Sequence, residues 1–274
     1  MIEFKDVTFT YDKDLENAIE DLNFSISKGE FVAIIGNNGA GKTTLVKHIN
    51  GLLKPTAGNV VINGEDIKKT PLSKMATIVG LAFQNPIHQL FAETVKKELE
   101  LGPKNLGIAE EERAEISEKI AKQLHIEHLL ERSPLELSGG EQRLTSIASV
   151  LTMNQQILVL DEPSYGQDYN QKKRLGGFLK EISDNGITVV IVSHDLDFVL
   201  DYVDRVIVLV KGKIIADGKK SEVLAKEEIY EKTDLLKPVF VELSLALRNI
   251  DSSYSIGFNE AELLETILAK IKTK

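Results

Sequence analysis

The chain has 274 residues, of which 42% are hydrophobic and 27% are charged. This balance is typical of globular proteins and excludes a disordered or fibrous chain, and the length suits one sizeable domain with a small addition. The 33 basic and 42 acidic residues give a formal charge of -9, which opposes non-specific attraction to nucleic acid phosphates. Because cysteine is absent, disulfides, thiolate chemistry and cysteine-ligated metals are excluded.

The apolar runs of the sequence are short. The longest fall far below the roughly 20 residues that a membrane-spanning helix needs, and the first residues show no secretory signal. We therefore expect a soluble chain, so that a role in a membrane process would require another subunit to supply the spans.

The first part of the sequence predicts strands. Apolar and polar residues alternate over the first thirty positions, which is the period of half-buried strands. Residues 31–35 are apolar on both faces and predict a fully buried strand of a parallel sheet. A glycine-rich turn follows, then a helical pattern over residues 44–49 and a returning strand over residues 58–64.

The second part predicts helices and repeated strand–helix units. Residues 86–153 read as a helical subdomain, and the buried runs 157–160 and 187–192 each precede a predicted helix. Residues 206–215 predict a closing hairpin. After about residue 222 the composition changes, and residues 239–247 and 259–271 predict two amphipathic helices. The second has Asn259 as N-cap with Glu262 three residues later, the pattern of a capping box.

The glycine-rich turn fits the pattern G-x-x-x-x-G-K-[ST] of phosphate-binding loops and lies between a predicted buried strand and a predicted helix. Its glycines allow backbone N–H groups to converge on phosphates, and the helix presents its positive end. Lys42 would reach the terminal phosphates and the Thr43 hydroxyl would ligate magnesium, whereas an ordinary glycine turn needs neither. The predicted nucleotide-binding residues are Gly36, Asn37, Asn38, Gly39, Ala40, Gly41, Lys42, Thr43 and Thr44.

Two carboxylates follow the buried run 157–160. Asp161 would hold magnesium through its water shell, and Glu162 is the candidate general base for an attacking water. A solvated acidic turn is the alternative, and the upstream phosphate loop disfavours it.

A second anion-binding turn is predicted at residues 138–141. Ser138, Gly139, Gly140 and Glu141 open a helix and offer free N–H groups, a hydroxyl and a dipole end. Since the first loop already holds a γ-phosphate, this turn would close on the nucleotide of another copy. For these residues alone, a flexible helix start is the plainer alternative.

The motifs GNNGAGKTT, LSGGEQ, ILVLDEP and the pair Ser193-His194, in this order, resemble those of the ATP-binding cassette (ABC) ATPases over about residues 1–220. The resemblance implies an α/β cassette over residues 1–222, with a parallel-sheet phosphate-loop core, an antiparallel β subdomain and a helical subdomain. It implies ATP hydrolysis with magnesium in a head-to-tail dimer. Each ATP would lie between the phosphate loop of one subunit and the Ser138-Gly139-Gly140 turn of the other.

The resemblance also assigns single residues. Tyr11 matches the aromatic residue that stacks on adenine, and Gln84 matches a glutamine that ligates magnesium, with Thr43 and Asp161, and links the site to a membrane partner. Asp168 matches an aspartate in a loop that crosses the dimer interface. His194 matches a histidine that contacts the γ-phosphate and acts with the catalytic residues Lys42 and Glu162.

Further segments narrow the resemblance. Similarity to the ATPases of energy-coupling-factor and cobalt/nickel-type importers lies in residues 83–91, residues 101–107, the triplet Gly166-Gln167-Asp168 and the tail over residues 225–274. It implies a small, mainly helical dimerisation domain over residues 223–274. This implies a subunit that powers uptake of a vitamin or a transition-metal ion from the cytoplasmic face of the cell membrane, as a peripheral protein. The implied partners are a transmembrane coupling subunit, a substrate-binding membrane subunit and a second ABC ATPase in a homo- or heterodimer, with no nucleic acid. The transported substrate stays open.

Three positions depart from the pattern of these relatives. Many carry an acidic residue where Ile87 and His88 stand, which puts an electrostatic contact with the membrane subunit in doubt. Leu144 occupies a position that is usually basic, and Ser164 replaces the commoner threonine. None of these changes removes a predicted phosphate, magnesium or water contact.

Other functions remain as alternatives. A soluble cassette protein acting on ribosomes or DNA usually carries two cassettes, a coiled-coil insertion or basic arms, whereas this chain has one phosphate loop and a negative charge. A non-hydrolysing regulatory ATP binder is disfavoured because every catalytic position is filled. GTPases and small-molecule kinases are excluded by the Ser138-Gly139-Gly140 turn and by the lack of an N-K-x-D motif.

Overall fold

The computed structural model describes residues 1–12 and 16–272, with side chains up to residue 269. The described strands, in chain order, are β1 (Ile2–Phe9), β2 (Ile19–Ile26), β3 (Phe31–Ile35), β4 (Ala57–Ile62), β5 (Glu65–Asp66), β6 (Val79–Ala82), β7 (Ile157–Asp161), β8 (Thr188–Val192), β9 (Arg205–Val210) and β10 (Lys213–Lys219). The described helices are α1 (Lys42–Ile49), α2 (Leu72–Ile78), α3 (Val95–Asn105), α4 (Glu110–Gln123), α5 (Gly139–Leu151), α6 (Tyr169–Asp184), α7 (Leu196–Tyr202), α8 (Lys220–Val223), α9 (Glu227–Thr233), α10 (Val239–Ile250) and α11 (Glu260–Lys272).

The strands form two sheets. The smaller is antiparallel with the order β2-β1-β4-β5, and the larger has the order β10-β9-β3-β8-β7-β6. In the larger sheet the strands from β9 to β6 are parallel to one another, and β10 adds an antiparallel edge. The α/β class and the antiparallel β subdomain that the motifs implied are thus confirmed.

The central strands are apolar on both faces because the sheet separates two hydrophobic cores. Every residue of β3, β7 and β8 is buried. Along β3, Phe31, Ala33 and Ile35 pack into one core, and the residues between them pack into the other. Successive side chains of a strand point to opposite faces, so a strand covered on both sides needs an uninterrupted apolar run.

The parallel arrangement determines where a ligand would bind. The carboxyl ends of β3, β6, β7 and β8 meet at one edge of the sheet, and the loops that follow them carry the predicted site residues. Ligands of open parallel sheets bind at this edge.

The remaining elements mostly follow the sequence pattern. The predicted strands, the hairpin of β9 and β10 and the two tail helices are present, and the cap of α11 forms because the Glu262 N–H donates to Asn259 Oδ1 at 3.0 Å. Short β6 and helices α2, α8 and α9 were not predicted. The division into residues 1–222 and 223–274, whose last two residues lie outside the described ones, stays a prediction, as does a helical subdomain at 86–153.

Among the residues described, no helix has the length and apolar composition that crossing a membrane requires.

Candidate nucleotide-binding site

The phosphate loop has a shape that requires glycine. Gly36, Gly39 and Gly41 have φ angles of 146°, 78° and 101°. A Cβ atom on Gly36 would lie 2.0 Å from the carbonyl oxygen of Leu209, and one on Gly41 would lie 2.5 Å from that of Ala18. The loop is therefore pressed against neighbouring backbone in a conformation that other residues rarely adopt.

Lys42 lies over this loop. Its ammonium group donates to the carbonyl oxygens of Gly36 at 2.7 Å and Asn37 at 2.8 Å. Burial lowers the pKa of Lys42, while the charges of Glu162 and Asp161 act in the opposite direction. The loop thus places a cation where phosphate oxygens could replace its carbonyl acceptors.

The loop forms one wall of a pocket of about 410 Å³. The pocket brings together residues from the ends of several strands: Tyr11, Ala18, Asn38, Gly39, Gly41, Lys42, Thr43, Thr44, Gln84, Asp161, Glu162 and Val192. Of the predicted nucleotide-binding residues, only Gly36, Asn37 and Ala40 do not line it. Tyr11 is 58% exposed, and its hydroxyl lies 3.0 Å from Thr44 Oγ1. A flat ligand could therefore reach the tyrosine ring.

Oxygen atoms suited to magnesium meet in this pocket. Thr43 Oγ1 donates to Asp161 Oδ2 at 3.4 Å, and Gln84 lines the same space. Burial raises the pKa of the Asp161 carboxyl above its ordinary value, and the neighbouring Glu162 charge raises it further. A bound divalent cation would relieve this cost. Magnesium is commonly bound by one or two carboxylates together with water and phosphates, and Asp161, Thr43 and Gln84 offer oxygen atoms of this kind.

Glu162 is buried and held in a fixed position. Its φ angle of 56° turns the chain sharply after β7, and its N–H donates to the Val192 carbonyl oxygen at 2.8 Å. One carboxylate oxygen lies 2.8 Å from Nδ1 of His194, and the other accepts from the His194 N–H at 3.4 Å. The structure thus pairs the predicted base with the predicted histidine, which does not itself line the pocket.

The Ser138-Gly139-Gly140 turn lies away from this pocket. Ser138 is the N-cap of α5, and its hydroxyl donates to Glu141 Oε2 at 2.7 Å in a capping box. This hydrogen bond lowers the pKa of the Glu141 carboxyl. Asp168 is likewise the N-cap of α6 and accepts from the Gln171 N–H at 2.8 Å. Within the described part of the chain, neither turn lines the phosphate pocket of its own subunit.

One charged residue near the site was missed from the sequence. Arg143 is only 2% exposed, and its two terminal nitrogens donate to the carbonyl oxygens of Phe83 and Gln84. Leu144, where the resemblance leads us to expect a basic residue, is buried in the apolar core. An arginine directly before this leucine is the signal that would have identified the buried cation.

Comparison with known proteins identifies the family of the chain. Residues 19–165 match the family described as ABC transporter. The energy-coupling factor transporter ATP-binding protein EcfA2 of Clostridium perfringens is 41% identical over 258 residues, which cover 91% of this chain and 87% of that protein.

Two solved structures are also similar. The structure of cbiO1 from Clostridium perfringens, part of the ABC transporter complex cbiONQ, has a TM-score of 0.76 at 33% identity and covers 88% of this chain and 97% of that chain. The dimeric, post-hydrolysis cassette MJ0796 bound to ADP and Pi has a TM-score of 0.74 at 30% identity, covering 80% and 98%. These are transporter proteins and an ABC cassette, so the comparisons give the ribosome or DNA alternative no support. The chain belongs to the ABC transporter ATPases, within the family of energy-coupling factor transporter ATP-binding proteins.

Proposed function

We propose that this chain is the ATP-hydrolysing subunit of an energy-coupling-factor type importer. The observation that carries the proposal is that the phosphate loop and the buried Glu162 line the same pocket. The Glu162 carboxylate also lies 2.8 Å from His194 Nδ1. A general base must lie within hydrogen-bond reach of the proton that it takes, and the contact with His194 orients the Glu162 carboxylate for this role.

In the proposal, some residues of the pocket bind the nucleotide and magnesium, and others catalyse hydrolysis. The glycine loop and the positive end of α1 would bind the phosphates, with Lys42 moving from its loop carbonyls to phosphate oxygens. Thr43, Gln84 and Asp161 would hold magnesium, which offsets charge on the phosphates when bound. Glu162 would take a proton from the attacking water, with His194 orienting its carboxylate. Tyr11 would stack on adenine.

The complete site requires a second subunit. Ser138, Gly139 and Gly140 do not line the phosphate pocket of their own chain, so in the proposal they cover the γ-phosphate of a partner in a head-to-tail dimer. Asp168 would lie at the same interface. The exposed apolar side chains Val239, Leu243 and Leu264 of α10 and α11 support a dimerisation role for residues 223–274. A homodimer and a heterodimer with a similar ATPase both fit.

The surface after β6 supports docking to a membrane subunit. Ile87 and Phe91 are 57% and 74% exposed and lie four residues apart, so two large apolar side chains are available in this segment for a partner. Ile87 and His88 stand where the resemblance leads us to expect an acidic residue, so the proposed contact with the transmembrane coupling subunit lacks that carboxylate. The chain would then lie peripherally on the cytoplasmic face of the membrane. A separate membrane subunit would select the vitamin or metal ion.

The test of the proposed chemistry is the rate of ATP hydrolysis by Glu162→Gln. We expect at least a hundredfold loss of turnover, within the usual contribution of general base catalysis, with ATP affinity retained. Glu231→Gln, which changes an exposed carboxylate on α9, is the matched control and should keep the wild-type rate. Undiminished hydrolysis by Glu162→Gln would reject this glutamate as the base.

A second experiment separates the transporter from the alternative. Affinity-tagged chain purified from its own cells in mild detergent should bring membrane subunits with it. Recovery with ribosomes or DNA, and without membrane proteins, would contradict the proposed function.

A further inference from the structure

Arg143 is a buried charge that the chemistry of the pocket does not use. It lies on α5, five positions after Ser138, and is 2% exposed. Both terminal nitrogens of its guanidinium group donate to consecutive backbone carbonyls, those of Phe83 and Gln84. A planar group with several donors in a fixed fork suits two neighbouring acceptors, and a single ammonium does not.

The environment of Arg143 connects it to the phosphate site. Burial lowers the pKa of its guanidinium, while the negative charges of Asp161 and Glu162 act against this effect. These are the two carboxylates at the end of β7, so Arg143 is a countercharge behind the pocket. A buried cation is tolerated when it is hydrogen-bonded and faces opposite charge, as this one is.

A second contact fastens the same segment to the same helix. Gln89 Nε2 donates to the Ser146 carbonyl oxygen at 2.8 Å and to Ser149 Oγ at 3.2 Å. Positions 143, 146 and 149 are spaced by three residues and share one face of α5. Residues 83–89 are therefore attached to α5 at both ends, by Arg143 near Gln84 and by Gln89 further along.

We propose that Arg143 is a positioning residue that fixes the backbone of Gln84 and joins it to α5, so that the magnesium ligand and the Ser138-Gly139-Gly140 turn move as one unit. Gln84 lines the pocket from this anchored backbone, and Ser138 is the N-cap of the same helix that carries the anchor. When a partner subunit closes on the turn, residues 83–91 would therefore move with it. The inference rests on the proposed role of Gln84 in ATP hydrolysis.

The first test needs no nucleotide. Amide hydrogen exchange of residues 83–91 is measured in the full chain for wild type, Arg143→Gln and Arg143→Lys. We expect faster exchange confined to this segment in Arg143→Gln and an intermediate rate in Arg143→Lys, since lysine keeps the charge but loses the fork. Arg113→Gln is the matched control: this half-buried arginine of α4 donates to the Ile108 carbonyl oxygen at 2.9 Å, away from the pocket.

The second test measures metal binding directly. Manganese affinity in the presence of a non-hydrolysable ATP analogue is followed by electron paramagnetic resonance. We expect Arg143→Gln to weaken it about tenfold, the lower end of the cost of losing an outer-shell partner of a metal ligand. Arg143→Lys should recover part of the loss, and Arg113→Gln should match wild type.

The outcomes distinguish the inference from the proposed function. Wild-type exchange and manganese affinity in the Arg143 variants, or the same general loosening in Arg143→Gln and Arg113→Gln, would overturn the positioning role. If Arg143→Gln does not fold, Arg143→Lys decides alone, because wild-type behaviour in both measurements would contradict the inference. Failure of wild type to hydrolyse ATP would reject the proposed function, while the exchange measurement would still decide whether Arg143 anchors the segment.

Discussion

Replacement of Gly36 by alanine tests the packing of the phosphate loop most sharply, because Gly39 in the same loop provides a matched control. A Cβ on Gly36 would meet the Leu209 carbonyl oxygen at 2.0 Å, near the end of β9, which is paired on both sides by β3 and β10. A Cβ on Gly39 would meet nothing within 4 Å. Both residues have positive φ angles, 146° for Gly36 and 78° for Gly39, so alanine would be strained at either position, and at Gly36 it would in addition meet neighbouring backbone.

The expected magnitudes follow from these two terms. A residue held in a sparsely populated backbone conformation costs about 1–3 kcal/mol, and overpacking against a structure that cannot yield adds about 1–3 kcal/mol. We expect Gly39→Ala to be destabilised by the first cost only and Gly36→Ala by both. The sum of the two costs is a large share of a typical stability of about 5–15 kcal/mol.

Urea unfolding of the nucleotide-free chain measures the difference. The midpoint for Gly36→Ala should lie clearly below that for Gly39→Ala, with similar slopes. Equal midpoints would show that the loop is not pressed against β9 and would refute the reasoning.

Two further predictions concern the carboxylates. Because burial raises the pKa of Asp161, the charged form is penalised in the folded state, so Asp161→Asn should be more stable than wild type at pH 7 without nucleotide, and the gain should shrink as the pH falls toward the ordinary value of 3.8; denaturation at both pH values checks this, and equal stability at pH 7 would contradict it. His194 Nδ1 lies 2.8 Å from the Glu162 carboxylate, so His194→Ala should lower turnover about a hundredfold, the lower end of what general base catalysis contributes, while ATP affinity changes little. A large loss of affinity with unchanged turnover would place the histidine in binding instead.

Much of the fold could be predicted because its strongest signals are local. The apolar runs of β3, β7 and β8 reflect burial on both faces. Each strand has five consecutive buried residues, so the local sequence alone shows the pattern. Short β6 lacked such a signal: it spans four residues with Gly80 among them, and its strand conformation depends on pairing with β7. Pairing between segments so distant in the chain cannot be inferred from a local pattern.

The candidate site likewise contains residues that a local pattern identifies and contacts that join distant parts of the chain. The phosphate loop has a local signal because its glycine spacing follows from backbone geometry, and Asp161 and Glu162 have one because they directly follow a buried strand; their roles in binding and catalysis stay predictions. The contacts of Arg143 with residues 83 and 84 join positions about sixty residues apart, and the hydrogen bond from Asn37 Nδ2 to Asp234 Oδ2 at 3.0 Å joins positions 197 apart. Such contacts depend on how helices pack on the sheet, and only the folded structure shows them.

The central claim is that each phosphate pocket is completed by the Ser138-Gly139-Gly140 turn of a neighbouring subunit. It is tested most directly by mixing two inactive proteins, Ser138→Arg and Lys42→Ala, and measuring ATP hydrolysis after subunits have exchanged. Half of the randomly formed dimers would be hybrids with one intact site of two, so the mixture should regain about a quarter of the wild-type rate. No recovery in a mixture proven to contain hybrids, or full activity of a single isolated subunit, would contradict the account.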